Sequence, residues 1–284
     1  MAGNPWRRAP SGRIILADLV KNKLESDAPR AIASGFFEAN TADAGTTRMI
    51  PLSGKRYTQP QTPVGIDWNN PLAKGLRAAV SGISAYDFVT NKFLTVSGAF
   101  TKTATPYGVA HTTTAAAAST YIELPFEISG AVSVVTVVSR DVSATTTGTG
   151  KVAPVITNRT ANQATFWEFN LGNGFGALGD IDKPRLSNNS AGFGTIYADG
   201  VALSGNNPAT TALTNGRFYT LAAVAASGAT ASGSGKMWLF AALTASYYSL
   251  VGRMPLALVY DRALSAAEIK SLSDNLWQVF QPLT

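Results

Sequence analysis

Residues 257–282 read ALVYDRALSAAEIKSLSDNLWQVFQP. The run RMPLALVYDR (253–262) that leads into the stretch is apolar enough for a strand. Ser265-Ala266-Ala267-Glu268 then has the form of a capping box: the Ser265 hydroxyl accepts from the Glu268 amide, and the Glu268 carboxylate reaches back. Leu264 and Ile269 flank the cap as a hydrophobic staple. Ile269, Leu272 and Leu276 continue as one apolar stripe, so the spacing predicts a helix of about 8 to 10 residues from Ala266. The aromatics Trp277 and Phe280 follow. A strand, a turn and a self-capped helix thus close the chain, with the helix expected on the outside or at the end of a β structure.

Upstream, short strand candidates recur between turns. TYIELPF (120–126) alternates, whereas AVSVVTVVSR (131–140) is apolar on both faces and reads as a fully covered strand. ATFWEFNL (164–171) sets Trp167, Phe169 and Leu171 on one face and Phe166, Glu168 and Asn170 on the other. FGTIYADGV (193–201) carries an Asp199-Gly200 turn. RFYTLAAVAAS (217–227) and KMWLFAAL (236–243) flank GATASGSG and are expected to form a hairpin. The Thr/Ala/Gly-rich tracts at 112–118 and 143–150 read as exposed loops. Many short strands with almost no helix between them predict an all-β antiparallel sandwich and speak against βαβ units.

Charged residues make up 14% of the 284, well below the roughly 25% usual for soluble domains. The absence of cysteine excludes disulfides, thiolate metal sites and a cysteine nucleophile. No apolar run reaches the length of a membrane span, and Asp18 interrupts Ile14-Ile15-Leu16-Ala17, so no export signal is expected. Residues 1–65 differ from the rest. Six prolines punctuate them, and nine Lys/Arg against five acids give +4 of the chain's net +6. They predict an extended N-terminal arm, ordered by lying on something else, ahead of a sandwich at 66–284. Its basic residues are scattered, which favours a protein surface over nucleic acid.

Catalytic patterns are sparse. The single histidine, His111, has no G-x-S-x-G elbow to serve and reads as a loop or strand-end residue. GFGALG (174–179) matches G-x-G-x-x-G, but the following DIDKPRLSNNS does not open a helix, so the match is a turn. Glu168, Asp180 and Asp182 raise glycoside hydrolysis, whose two carboxylates must share one face. The same oxygens could ligate Ca2+. Trp167, Trp238, Tyr247 and Tyr248 are the aromatics placed to stack on sugar rings. Asn158-Arg159-Thr160 matches a glycosylation sequon.

VYDRALSAAEIKSL with the following LWQVF, the entry segment IDWNNPLAKGL (66–76) and TIYADGV (195–201) together resemble the laminin-G-like branch of the concanavalin-A-like sandwiches, in versions found in tailed-bacteriophage virion proteins. These matches bracket residues 66–282. The resemblance implies a jelly-roll sandwich displayed on a virion, made in the host cytoplasm, in many copies or as a homo-oligomer. It carries over no sugar or calcium ligand. The expectation is a non-enzymatic structural protein without a cofactor, Ca2+ being the one ion considered. Its partners would be capsid, collar or tail proteins, gripped by the arm through Trp6, Arg7, Arg8, Arg13, Phe36 and Phe37. Recognition of a host surface glycan is the alternative, and polysaccharide hydrolysis ranks third.

Overall fold

The computed structural model describes residues 59–60, 63–114, 120–126, 130–142, 152–158, 167–173, 181–188, 194–206, 208–225, 236–241 and 250–283. In chain order the strands are β1 (Val64–Ile66), β2 (Leu76–Ser81), β3 (Tyr86–Asp87), β4 (Lys92–Phe93), β5 (Thr95–Ser97) and β6 (Thr101–Thr105). Next come β7 (Gly108–Thr113), β8 (Tyr121–Leu124), β9 (Val132–Arg140), β10 (Val152–Thr157), β11 (Trp167–Asn173) and β12 (Arg185–Asn188). The remainder are β13 (Thr195–Ala198), β14 (Val201–Ala202), β15 (Phe218–Ala225), β16 (Met237–Leu239), β17 (Gly252–Tyr260), helix α1 (Ala266–Asp274) and β18 (Phe280–Pro282).

All pairings are antiparallel and build two main sheets. The smaller has the order β12-β11-β10-β16-β8-β5. The larger runs β14-β13-β15-β9-β17-β2-β3-β4, with the β6–β7 hairpin attached to β17. The all-β sandwich and short closing helix expected from the sequence are what is observed. Of the arm expected over 1–65, residues 1–58, with Trp6, Arg7, Arg8, Arg13, Phe36 and Phe37, lie outside the described residues, while buried Gln59 accepts from the Val109 amide at 3.2 Å and Val64 and Gly65 belong to β1.

Strand β9 shows why its sequence is apolar on both faces. Val132, Val134 and Val138 point into a core shared with Ile122, Ile156, Phe169 and Leu239 of the smaller sheet. Val135 and Val137 point the other way, into a second core with Leu258, Tyr260, Ile269, Leu272 and Trp277. The larger sheet is therefore covered twice, by the smaller sheet and by α1 with the β1–β18 ribbon. Burying Ile269 and Leu272 contributes about 1.5–3 kcal/mol each, which holds the helix down where its own propensity would not.

The closing segment is fixed by local bonds. The Ser265 side chain accepts from the Glu268 amide and the Glu268 carboxylate accepts from the Ser265 amide, completing the capping box. Ser133 on β9 accepts from the Leu264 amide at 2.9 Å and donates to the Arg262 carbonyl at 2.7 Å, so the turn is pinned to the central strand. Asp199 and Gly200 both have positive φ and join β13 to β14 in a two-residue hairpin. That hairpin sits against Lys270 and Ser273 of α1.

Three expectations change. β15 and β16 are not a hairpin: they lie in different sheets, β15 pairing with β9 and β13, and β16 with β8 and β10. Thr112 and Thr113 are buried in β7 rather than exposed in a loop, because β17 pairs with both and β6 with Thr112; 115–118 and 143–150 lie outside the described residues. His111 is inside β7 and buried, not in a loop or at a strand end.

Candidate functional site

The smaller sheet turns Phe169, Ile156, Leu239 and Ile122 toward the core. Strand alternation then sends their neighbours to its outer face. Register lines up one row across four strand pairings: Glu168 opposite Thr157, Thr157 opposite Trp238, Trp238 opposite Glu123, and Glu123 opposite Thr95. Asn170 stands two residues from Glu168 on the same face, opposite Arg185.

The row is graded. At the β11 end Glu168 is 2% exposed, Asn170 is fully buried, and the Asn170 amide donates to Glu168 Oε1 at 2.7 Å. In the middle Trp238 is 6% exposed, and Tyr121 stacks on it with centroids 3.9 Å apart and planes 11° from parallel. Toward β5 the row opens: Tyr121 is half-buried, Lys236 and Thr95 are exposed, and Lys236 pairs with Glu123 at 2.8 Å. Asn170 Oδ1 and Trp238 Nε1 are buried without a partner in the described structure. Only the end toward β5, where Tyr121, Glu123 and Lys236 reach solvent, is open to a hydroxyl-rich ligand; the Glu168–Asn170 end is buried.

The other candidates are sorted by the fold. Trp167 is corrected as a glycan contact, since it is 2% exposed and packs in the core between the sheets. Tyr247, Tyr248, Asp180 and the 174–179 glycines lie outside the described residues. Asp182 does not join Glu168. It pairs at 2.6 Å with Arg140, a buried guanidinium that also donates to Leu171 O and Asn215 Oδ1, each at 2.8 Å. Burial pushes the Arg140 pKa down while Asp182 opposes the shift. Among the described residues no group of three or more acids and histidine is placed to hold a metal. Asn158 accepts from the Trp167 amide at 2.6 Å and is buried, which removes it as a glycosylation acceptor.

Sequence reasoning missed Tyr121. The alternation in TYIELPF puts Tyr121 and Glu123 on one face, but only the β8–β16 register brings them to Trp238.

No protein-family model and no curated protein matches the chain. Among solved structures, it is similar to a sialidase of Trypanosoma rangeli in complex with the inhibitor DANA. Identity is 11% and the TM-score 0.41, over 94% of this chain and 40% of that one. It is also similar to domain 4 of AbnA, a GH43 extracellular arabinanase of Geobacillus stearothermophilus, in complex with arabinotriose. There identity is 13% and the TM-score 0.42, over 70% of this chain and 98% of that one. A structure titled for botulinum neurotoxin type C and its interaction with two ganglioside molecules has 8% identity and TM-score 0.39, over 71% of this chain and 51% of that one. The chain thus spans two fifths of the sialidase. At these scores the likeness assigns no residue a role.

The expectation that the chain is not an enzyme is corrected by these neighbours, which include sialidases and a domain of an arabinanase, both glycoside hydrolases.

Proposed function

We propose that the protein is a lectin-like sandwich that binds carbohydrate on the outer face of its smaller sheet and is carried on the virion of a tailed bacteriophage. The observation that supports binding is the row Glu168–Thr157–Trp238–Glu123 with Tyr121 stacked on Trp238. Trp238 backs the half-buried Tyr121, which offers its ring to a sugar at the open end. Glu123 and Lys236 beside it supply an acceptor and a donor for hydroxyls. The virion assignment is supported by the closing motif, the entry segment and the Asp-Gly turn. In this reading the basic segment 1–65 grips a capsid, collar or tail protein, and many copies per particle raise weak sugar binding by avidity.

The test is binding of the full chain to purified host polysaccharides. Truncating a stacking ring is expected to weaken binding about 10- to 100-fold, so Tyr121→Ala should fall in that range with folding unchanged. A flat response across the panel, or full binding by both Tyr121→Ala and Trp238→Ala, would sink the reading. Loss of the protein from particles on deleting 1–65 tests the anchor separately.

One observation favours a second reading, glycoside hydrolysis: the buried Glu168 carboxylate hydrogen-bonded to Asn170. Three strand spacings separate Glu168 from Glu123, about 14 Å. That exceeds the roughly 5–9.5 Å between paired catalytic carboxylates. The second acid would therefore come from outside the row. Release of reducing ends that disappears in Glu168→Gln while binding persists would establish this reading.

A further inference from the structure

We propose that His111 is an acid-sensitive latch that holds the β2–β3 turn closed when neutral and frees the segment Ala85–Ser97 when it takes up a proton. The Ala85 amide donates to His111 Nε2 at 2.8 Å. Nε2 is therefore an acceptor, and the ring proton sits on Nδ1, which is buried without a partner in the described structure. Ala85 itself has φ +51°, a left-handed conformation that is strained by about 1 kcal/mol for an L-residue. Its carbonyl accepts from the Leu94 amide at 2.9 Å. One strained residue thus connects the imidazole to the strip that crosses from the larger sheet to the smaller.

The groups around the ring give a proton no compensation. β6 sets Lys102 opposite His111, a like charge once the ring is cationic. β17 contributes Met254, and Phe100 meets the ring edge-on at 5.1 Å. β2 and the residue after it add Val80, Ser81 and Gly82 beside it, while β8, β16 and the residue after β16 bring Ile122, Leu239 and Phe240, and none of these is ionisable. Asp87 on β3 uses its carboxylate on the amides of Ala79, Val89 and Thr90 and on the Thr90 hydroxyl. Burial, then Lys102, pushes the pKa of His111 down to about 4. A protonated Nε2 would point an N–H at the Ala85 N–H, and opening the turn relieves both that clash and the strain.

Besides the Asp87 bonds and the burial of Phe88 and Leu94, the strip is held by sparse sheet pairing. β3 meets β2 at one residue pair, β4 meets only β3, and β5 is the edge of the smaller sheet. Phe93 and Val96 along it are already exposed. β5 covers the edge of β8 at Tyr121 and Glu123, so the latch also sets the open end of the candidate site. The latch itself does not depend on the ligand reading.

The linkage has one sign. The open form titrates near the ordinary 6.5 and the closed form near 4, so opening rises as pH falls below about 6.5. Between pH 7.5 and 5 the open population should rise about 30-fold. Hydrogen–deuterium exchange of the full chain, corrected for intrinsic rates, reads this directly in peptides spanning 85–97, with β9 and β17 as internal references. His111→Gln keeps an acceptor but does not titrate, and its exchange in 85–97 should be independent of pH. The single imidazole also gives one NMR titration, expected well below 6.5. Protection of 85–97 that is flat with pH in the wild type, an equal pH response in His111→Gln, or an imidazole titrating at 6.5 would each overturn the latch.

Discussion

Replacing Arg140 by Met is expected to destabilise the protein by about 3–5 kcal/mol, the range for breaking a buried ion pair from one side. The guanidinium is almost fully buried and makes three short bonds, to Asp182 Oδ1 at 2.6 Å and to Leu171 O and Asn215 Oδ1 at 2.8 Å. Longer contacts reach Leu213 O at 3.4 Å and Ile181 O at 3.5 Å. Met fills much of the volume but leaves the Leu171 carbonyl and the Asn215 amide oxygen without this donor. Each charge-assisted bond contributes about 1.5–3 kcal/mol, and part of that gain is offset by the cost of burying the charge. Asp182, about a third exposed, keeps water as a substitute, so Asp182→Asn should cost only about 0.5–1 kcal/mol. Urea unfolding at neutral pH measures both, and the double mutant gives the coupling. A loss below 1 kcal/mol for Arg140→Met, or a larger loss for Asp182→Asn than for Arg140→Met, would refute the clamp. An unfolding midpoint that moves with added Ca2+ and stops moving in Asp182→Asn would return that residue to metal binding.

Two further outcomes follow from the closing helix. Glu268 is held down to about 2 by Arg262, with Ser265 assisting, so the stability it contributes is present above the ordinary carboxylate pKa and lost as pH falls from about 4.5 toward 2. Screened at the surface, that contribution is about 1 kcal/mol or less, and Glu268→Gln should flatten the slope of stability against pH in that window. Gly200→Ala should cost about 1–2 kcal/mol, because φ is +81° and a Cβ would stand 2.8 Å from Lys270 Cδ; an unchanged melting temperature would mean that α1 does not rest on the Asp-Gly hairpin.

What the sequence made legible is what short-range chemistry decides. The Ser265–Glu268 box, the Leu264 and Ile269 staple, and the Asp199-Gly200 turn are each specified within a few residues, and all three form. Strand β9 was readable because a strand buried on both faces loses its alternation. Pairing partners were not. β15 and β16 flank a glycine-rich loop as a hairpin would, yet periodicity does not say which sheet a strand joins. β3, β4 and β5 are two or three residues long, too short for any period to show. Candidate-site residues were hidden for the same reason. Glu168 and Trp238 were noticed singly, but Tyr121 acquires its place only through the registers of β8 and β16, residues more than a hundred apart in sequence.

The two sheets differ in what their outer faces are left to do. The larger sheet has α1, Trp277 and the β1–β18 ribbon on its outer side, and their removal would strip Leu258, Tyr260 and Val135 of cover. Ligand chemistry there would compete with the helix for the same apolar surface. The smaller sheet has its apolar residues on the inner side, and its outer row carries Glu168, Thr157, Trp238 and Glu123. The buried polar groups of that row, Thr157 and Glu168, cost desolvation that apolar side chains there would avoid. That face is covered as well over most of its row, where Glu168, Thr157, Asn170 and Trp238 are buried, and it opens only toward β5. That gradient is why the open end at Tyr121, Glu123 and Lys236, and neither the buried end of the row nor the helix-bearing side, is where substitutions should change binding before they change the fold.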